Sequence, residues 1–329
     1  MEGINNTHLD QQKQIPTLAF VVPCFNEEAV LNTLISELTK LSDELVASNR
    51  ISNPAAIVLI DDGSVDRTWS MILDAVQKHR VEGLKLTRNY GHQPALLAGL
   101  MSAKADVIVS LDADLQDDLA AVPQMLDAYQ DGAEIVFGVR SSRDSDTVFK
   151  RTTAQGYYRI MRWMGVDLIA DHADFRLMGR RAINALSQHG ETNIFLRGLI
   201  KSMGFRTATV SFERAPRMAG ETKYPVRKML ELAMQGITSF STFPLRIVAW
   251  FGLVIALFSF GYVGYAVVMR LLGLSVSGWA SIVASIYMLG GIQLIALGVI
   301  GEYLGKVYME TKRRPQYLIE QSTLSETSD

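Results

Sequence analysis

The sequence predicts an α/β domain with a mostly parallel sheet, followed by an amphipathic helix and a C-terminal hairpin of two membrane-spanning helices. Two observations carry this prediction. Short apolar runs alternate with helical patterns up to residue 139, which is typical of a parallel sheet with helices on both faces. Two uncharged apolar segments, residues 247–269 and 279–300, are each long enough to span a hydrocarbon layer of about 30 Å.

The apolar runs place the expected strands and, between them, the expected helices. The strands are predicted at residues 17–22, 55–60, 83–87, 107–111 and 134–139, and the helices at 28–47, 68–78, 94–103 and 123–129. In parallel sheets, ligands gather beyond the carboxyl ends of the strands. Those ends are polar here, since they read PCFNEE, DDGS, TRNYGH, DADLQ and GVR. The sequence therefore predicts a binding site along this edge.

The fourth strand leads to two aspartates, Asp112 and Asp114, with Gln116 two residues further on. If the extended geometry persists past the strand, these side chains share one side of the chain. Carboxylates cluster poorly unless a cation lies between them, and Mg²⁺ or Mn²⁺ typically binds one or two carboxylates plus substrate phosphates. The pattern predicts a metal that carries a diphosphate; a solvated acidic turn is the alternative.

The first two strand ends offer groups that suit a nucleobase edge and ribose hydroxyls. Asn26 and Glu27 follow the first strand, and Asp61 and Asp62 end the second. Capping of the following helices is the alternative for Asn26 and Asp62, but it does not explain the doubled acids. The glycine-rich fingerprints of dinucleotide and P-loop sites do not occur at these turns, which disfavours both classes.

Composition narrows the class of protein. The net charge of −2 provides no global basic field, so nucleic acid is not an expected partner. The single cysteine, Cys24, makes an internal disulfide framework impossible and fits a reducing compartment. Residues 1–16 have no apolar core of a signal peptide and are expected to form a polar tail.

The flanks of the apolar segments predict their orientation. Basic residues crowd outside the hairpin, whereas its link contains only Arg270; they are Lys223, Arg227, Lys228, Arg246, Lys306, Lys312, Arg313 and Arg314. By the positive-inside rule, both chain ends are cytoplasmic. The expected order is a domain at 17–225, a membrane-surface amphipathic helix at 226–244, the hairpin at 245–302 and a cytoplasmic tail at 303–329. Glycines in the hairpin leave a homo-oligomer open.

Six motifs, in this order, resemble the polyprenyl-phosphate glycosyltransferases, which are family-2 enzymes with the GT-A fold: VVPCFNEE, IDDGSVDRT, TRNYGHQPALLAGL, LDADLQD, DFRLM and GETKY. This branch contains dolichol-phosphate mannose synthase and the bactoprenol glucosyltransferases. The segments TSFSTFPLR and LGVIGEYLGKVY look especially like the bactoprenol group. The resemblance covers residues 17–317. It implies an inverting, two-helix enzyme of the inner (cytoplasmic) membrane that moves a sugar from a nucleotide donor to undecaprenyl phosphate.

The resemblance also implies roles for individual residues. Those implied to bind the donor nucleotide are Pro23, Asn26, Glu27, Asp61, Asp62 and Asp112. Asp114 and Gln116 are implied to bind Mg²⁺ or Mn²⁺, and Lys223 and Tyr224 to close a loop over the donor. The acceptor phosphate is implied to meet Arg140, Arg151 and Arg176. The implied catalytic group is Asp112, Asp114, Asp174 and Arg176, with Asp171 as an alternative to Asp174.

Simple alternatives remain for two of these basic residues. Arg151 is equally well explained as a solvated surface charge, and Lys223 as a ligand of lipid headgroups.

The chemistry of such a reaction follows from its acceptor. A phosphate monoester anion is already a nucleophile at neutral pH, so a strong general base is less necessary than for a sugar hydroxyl. The main barrier is charge on the departing nucleoside diphosphate, which the metal and basic residues would stabilise. Direct in-line displacement then predicts a β-linked product from an α-linked donor.

Several functions stay open on the sequence alone. UDP-glucose is the expected donor, with UDP-N-acetylglucosamine, UDP-galactose and GDP-mannose as alternatives. A processive polysaccharide synthase is disfavoured because Gln155, Arg159 and Arg162 have the wrong spacing for its Q-x-x-R-W motif. A non-catalytic scaffold or nucleotide-sugar sensor is the alternative of another class. The family pattern also implies a flippase and a second transferase as partners in lipopolysaccharide O-antigen modification.

Overall fold

The computed structural model describes residues 15–140, 172–190, 196–212, 243–272 and 278–324. The described residues belong to two compact units. The first unit contains a sheet, the helices packed on it and a short C-terminal segment. The second contains two long apolar helices. Arg151, Asp171, Lys223 and Tyr224 lie outside the described residues, as does the expected amphipathic helix except for its last two positions.

The first unit is built on an eight-stranded sheet. Its strands are β1 (Leu18–Cys24), β2 (Ala56–Asp61), β3 (Val81–Leu86), β4 (Val107–Ser110), β5 (Ile135–Arg140), β6 (His172–Gly179), β7 (Thr207–Phe212) and β8 (Ile319–Ser322). They lie in the order β7-β5-β6-β4-β1-β2-β3-β8. Strand β1 is parallel to β2 and β4, β2 to β3, and β5 to β7. Strand β6 runs antiparallel between β4 and β5. The predicted α/β fold with a mostly parallel sheet is confirmed.

Helices cover both faces of the sheet, as the alternation of elements predicts. They are α1 (Leu31–Ala47), α2 (Thr68–Lys78), α3 (His92–Ser102), α4 (Val122–Gln130), α5 (Arg180–Leu186) and α6 (Leu196–Ser202). Alternate side chains of β1 enter two separate cores. Phe20 lies in the core that includes residues of α1, α2 and α4, whereas Val21 lies in the core that includes residues of α3, α5 and α6. Burial on both faces explains why the central strands read as continuous apolar runs.

Strand β8, like helix α6, was not predicted from the sequence pattern. It pairs antiparallel with β3 at the edge of the sheet. Lys85 Nζ lies 3.2 Å from a carboxylate oxygen of Glu320, and the indole of Trp69 donates to Gln321 Oε1 at 3.1 Å. All four residues of β8 are exposed, so the short segment IEQS has no apolar alternation to reveal it. The structure thus adds residues 315–324 to the first unit, within the range expected to be a tail.

The second unit contains helices α7 (Phe243–Leu271) and α8 (Trp279–Thr311). Segments Phe243–Tyr262 and Met288–Thr311 are long and apolar enough to cross a membrane, with mean hydropathies of 2.0 and 1.5. Large side chains such as Trp250 and Phe258 are exposed on α7. The two segments predicted from the sequence fall inside these helices, and α8 continues beyond the predicted end at residue 300.

Candidate active site

The acidic turn after β4 is folded more tightly than the sequence suggested. Strand β4 ends at Ser110, and the following residues form a turn in which Leu115 adopts a left-handed backbone with φ of 53°. The condition on which Asp112 and Asp114 would share one side, extended geometry past the strand, is not met, because residues 113–114 already form a turn. The backbone N–H of Gln116 donates to Asp114 Oδ1 at 3.2 Å, and that of Asp112 lies 3.5 Å from Asp117 Oδ2.

Acids from two neighbouring strand ends converge at this turn. Glu27, which follows β1, is half-buried, and burial raises its pKa above the ordinary value, with further increases from Asp114, Asp66 and Asp112. A field of like charges at a partly buried position is what a divalent cation relieves. Across the described residues, no three His, Cys, Asp or Glu side chains form a ready-made metal site. The donor set fits a cation that shares its coordination with a substrate diphosphate.

Glu27→Gln is expected to stabilise the metal-free protein at neutral pH. Glu27 binds its proton more tightly in the folded than in the unfolded state, so stability falls as pH rises from the ordinary pKa of 4.5 through the raised folded value. The variant lacks this loss. Thermal unfolding between pH 4 and pH 8 should show an advantage for the variant that disappears below pH 4.5.

The exposed Glu37→Gln variant is the control for Glu27→Gln and should show no such trend. Saturating Mn²⁺ should shrink the advantage of Glu27→Gln, because the cation stabilises the ionised acid. An advantage that is independent of both pH and Mn²⁺ would contradict this account of the charge cluster.

The residues implied to bind the nucleoside connect the loops after β1, β2 and β3 through hydrogen bonds. Asn26 has a left-handed backbone, and its Oδ1 accepts from the Val65 N–H at 2.9 Å. Asp62 accepts from the N–H groups of Tyr90 and Gly91 at 2.7 and 2.9 Å. The proposed helix-capping alternatives for Asn26 and Asp62 are therefore wrong, because both side chains bond to loops of neighbouring strands.

Two further residues, Gly63 and Asp61, hold these loops close together. A side chain at Gly63 would place its Cβ 2.5 Å from the backbone of Arg88, so only glycine permits this approach. Asp61 is fully buried and accepts from the Ser64 N–H at 3.1 Å through Oδ1. Its Oδ2 has no hydrogen-bond partner among the described residues. Pro23 is buried within β1, opposite Ile60. The nucleoside-binding role of these residues stays a prediction.

Asp174 and Arg176 come from β6, which runs antiparallel beside β4. Arg176 is fully buried, and its Nη2 contacts Asp174 Oδ1. Ser110 donates to the backbone oxygen of Asp174 at 2.7 Å. In this conformation the guanidinium is buried and supports Asp174, and its implied role in binding the acceptor phosphate stays a prediction. Arg140 ends β5, and its phosphate role stays a prediction.

His92 is a site residue to which no role was assigned from the sequence, although it lies in TRNYGH near the expected site. It is the first residue of α3, and its Nε2 lies 3.2 Å from Asp174 Oδ2 and 3.6 Å from Asp112 Oδ1. It therefore joins an acid after β4 to an acid in β6. The signal available in the sequence was its position in the polar strand end TRNYGH.

Comparison with known proteins decides the family. The family model described as Glycosyl transferase family 2 matches residues 19–187. The chain belongs to glycosyl transferase family 2. The glycosyltransferase YkoT of Bacillus subtilis (strain 168), named as uncharacterized, is 48% identical over 93% of this chain and 91% of its own. The prophage bactoprenol glucosyl transferase homolog of Escherichia coli (strain K12) is 41% identical over 92% of this chain and 98% of its own.

The solved structures that match are more distant. S. aureus TarS in complex with UDP-GlcNAc is 15% identical, with a TM-score of 0.45 over 68% of this chain and 66% of that chain. The described sheet together with family-2 membership confirms the GT-A-like fold that the motifs implied. This family-2 glycosyltransferase has its acidic turn, His92 and the Asp174–Arg176 pair inside the matched range.

Proposed function

We propose that this glycosyltransferase transfers glucose from UDP-glucose to undecaprenyl phosphate at the cytoplasmic membrane. The observation that carries the proposal is identity along nearly the whole chain. The SfII prophage-derived bactoprenol glucosyl transferase of Shigella flexneri is 39% identical over 93% of this chain and 98% of its own. That alignment is too long to be confined to the sheet, so it also supports a common use of the apolar helices α7 and α8.

The arrangement of acids supports transfer from a nucleoside diphosphate sugar. Asp112 follows the central strand β4, and Asp114 lies two residues further along the same turn. Glu27 adds negative charge from the neighbouring strand end. Such a cluster repels a diphosphate unless a cation is bound. Asp114 and Gln116 would hold Mg²⁺ or Mn²⁺ with the donor diphosphate, and the chemistry supplied there is neutralisation of charge on the leaving group.

The residues of the chain would then align donor and acceptor. The acceptor phosphate oxygen attacks the anomeric carbon while the bond from that carbon to the diphosphate breaks, and the nucleoside diphosphate leaves. No proton has to be removed from the attacking oxygen, so this transfer does not require a general base. A single displacement inverts the anomeric centre, so we expect a β-linked glucosyl phosphate lipid from the α-linked donor.

Donor choice is the direct test. The full-length chain in detergent is incubated with Mn²⁺, undecaprenyl phosphate and, in turn, radiolabelled UDP-glucose, UDP-N-acetylglucosamine, UDP-galactose and GDP-mannose. We expect UDP-glucose to label the lipid and the anomeric proton coupling of the product to indicate a β linkage. Labelling by another sugar alone would replace the donor and keep the acceptor. No labelling by a folded protein that binds nucleotide would overturn the proposal in favour of a scaffold or sensor.

A further inference from the structure

The carboxylate of Asp174 is held at both of its oxygens. Oδ1 contacts Nη2 of the fully buried Arg176, and Oδ2 lies 3.2 Å from His92 Nε2. Arg176 is in the same strand as Asp174, whereas His92 comes from the first turn of α3. Two donors on opposite oxygens fix the rotation of a carboxylate, which one donor alone does not achieve.

The same imidazole faces a second acid. His92 Nε2 is 3.6 Å from Asp112 Oδ1, so one side chain spans the gap between the acidic turn after β4 and the acid in β6. Exposure changes along this row of side chains. Arg176 is buried, the Asp174 side chain is 8% exposed, and the His92 side chain is 41% exposed. The buried end of this row, Arg176, therefore lies inside the protein, and His92 and Asp112 form its solvent-exposed end.

We propose that His92 is a positioning residue for sugar transfer, which fixes the orientation of Asp174 relative to Asp112. This inference rests on the proposed function and on the implied roles of Asp112 in donor binding and of Asp174 in catalysis. The imidazole donates a hydrogen bond through Nε2 to Asp174 Oδ2, and the acid then presents a constant face to the reacting groups. Without His92, Arg176 still anchors Oδ1, but the carboxylate is free to turn about that contact.

The orientation of Asp174 that His92 sets should affect the rate of the chemical step more than the binding of the donor. The nucleoside-side loops are held by their own hydrogen bonds, from the Val65 N–H to Asn26 and from the Tyr90 N–H to Asp62. His92 takes no part in these two bonds and acts on Asp62 through its charge, so loss of His92 should lower the rate of the chemical step more than the affinity for the nucleotide. Misplacement of reacting groups by about 1 Å costs on the order of 100-fold in rate, which sets the size of effect to look for.

The test compares His92→Ala with His92→Gln in the full-length chain in detergent, with undecaprenyl phosphate and the donor that the wild-type protein uses. We expect kcat of His92→Ala to fall about 100-fold, while KM for the nucleotide sugar stays within about twofold. Glutamine reaches a similar distance and donates through its amide, so His92→Gln should recover about tenfold of the lost rate, which is the usual worth of one hydrogen bond.

The controls separate positioning from folding. His189→Ala alters an exposed histidine after α5 whose ring bonds to the Ala185 carbonyl oxygen, and it should leave both kinetic constants unchanged. Thermal unfolding and UDP binding are measured for every variant. If His92→Ala loses UDP binding or its melting transition together with activity, and His92→Gln does the same, His92 is merely structural and the inference is overturned.

The remaining outcomes are also distinguishable. Unchanged kcat in His92→Ala, with an active wild-type protein, overturns the inference and leaves the proposed function intact. Equal loss in the alanine and glutamine variants rules out the hydrogen bond as the cause. If the wild-type protein transfers no sugar to the lipid, the proposed function itself fails, and the inference fails with it.

Discussion

Asp114→Asn is expected to reduce sugar transfer about 1,000-fold, because loss of a metal ligand removes about 4 kcal/mol of stabilisation from the departing diphosphate. Asparagine keeps the size of the side chain and an oxygen that can accept from the Gln116 N–H, so the turn should keep its shape. What the substitution removes is charge. We therefore expect kcat to fall steeply while the unfolding temperature changes little, and the concentration of Mn²⁺ that gives half-maximal rate to rise.

Asp74→Asn provides the matched control for Asp114→Asn. Asp74 is exposed on α2, outside the candidate active site. The same change of charge at that position should leave the rate and the Mn²⁺ dependence as in the wild-type protein. A variant at Asp114 that retains full activity and wild-type Mn²⁺ dependence would remove Asp114 from the metal site and leave the acidic turn with a structural role.

Arg176→Met is expected to destabilise the protein by about 3 kcal/mol, or an unfolding temperature lower by about 10 °C. The substitution leaves Asp174, whose side chain is only 8% exposed, without its buried guanidinium partner. Breaking one side of a buried ion pair costs more than the pair itself contributes, because the remaining charge is poorly solvated. Thermal unfolding in detergent, followed by circular dichroism, measures the effect.

Arg181→Met is the natural comparison for this variant. Arg181 is 79% exposed and lies 3.1 Å from Glu134, and exposed pairs contribute roughly 0–1 kcal/mol. Its unfolding temperature should stay close to that of the wild-type protein. Should the two arginine variants unfold at the same temperature, the buried pair does not have the structural role assigned to it. An unfolding temperature for Arg176→Met as high as that of the wild-type protein would instead favour a direct role of Arg176 in phosphate binding.

Much of the sheet was predictable because its strands and helices have different hydrophobic periods. The predicted helix at 68–78 coincides with Thr68–Lys78, and the predicted strand at 107–111 differs from Val107–Ser110 by one residue. The insertion of β6 between β4 and β5 was not predictable, since local pattern carries no information about antiparallel pairing across a long connection. Strand β8 was missed for a related reason: it is short, exposed and stabilised by its partner strand.

The candidate site also contains residues that could be predicted from the sequence and residues that could not. Residues at the ends of parallel strands, such as Glu27 and Asp114, could be grouped from the sequence because those ends share one edge of the sheet. His92 belongs to the strand end TRNYGH at the same edge, but its contact with Asp174 was not predictable, because that contact depends on where β6 lies. The burial of Arg176 was not predicted either, since arginine is almost never fully buried unless it is paired and its partner was not known from the sequence.

The pairing of strand β8 limits how many times this chain can cross a lipid bilayer. It follows α8 in the sequence, yet it is hydrogen-bonded to β3, which precedes α7. The segments that form β3 and β8 must therefore lie on one side of the bilayer, and the number of crossings between them must be even. If α7 and α8 are the only crossing helices, they must cross together or not at all, whatever the charges that flank them. A single crossing would require β8 to leave the sheet.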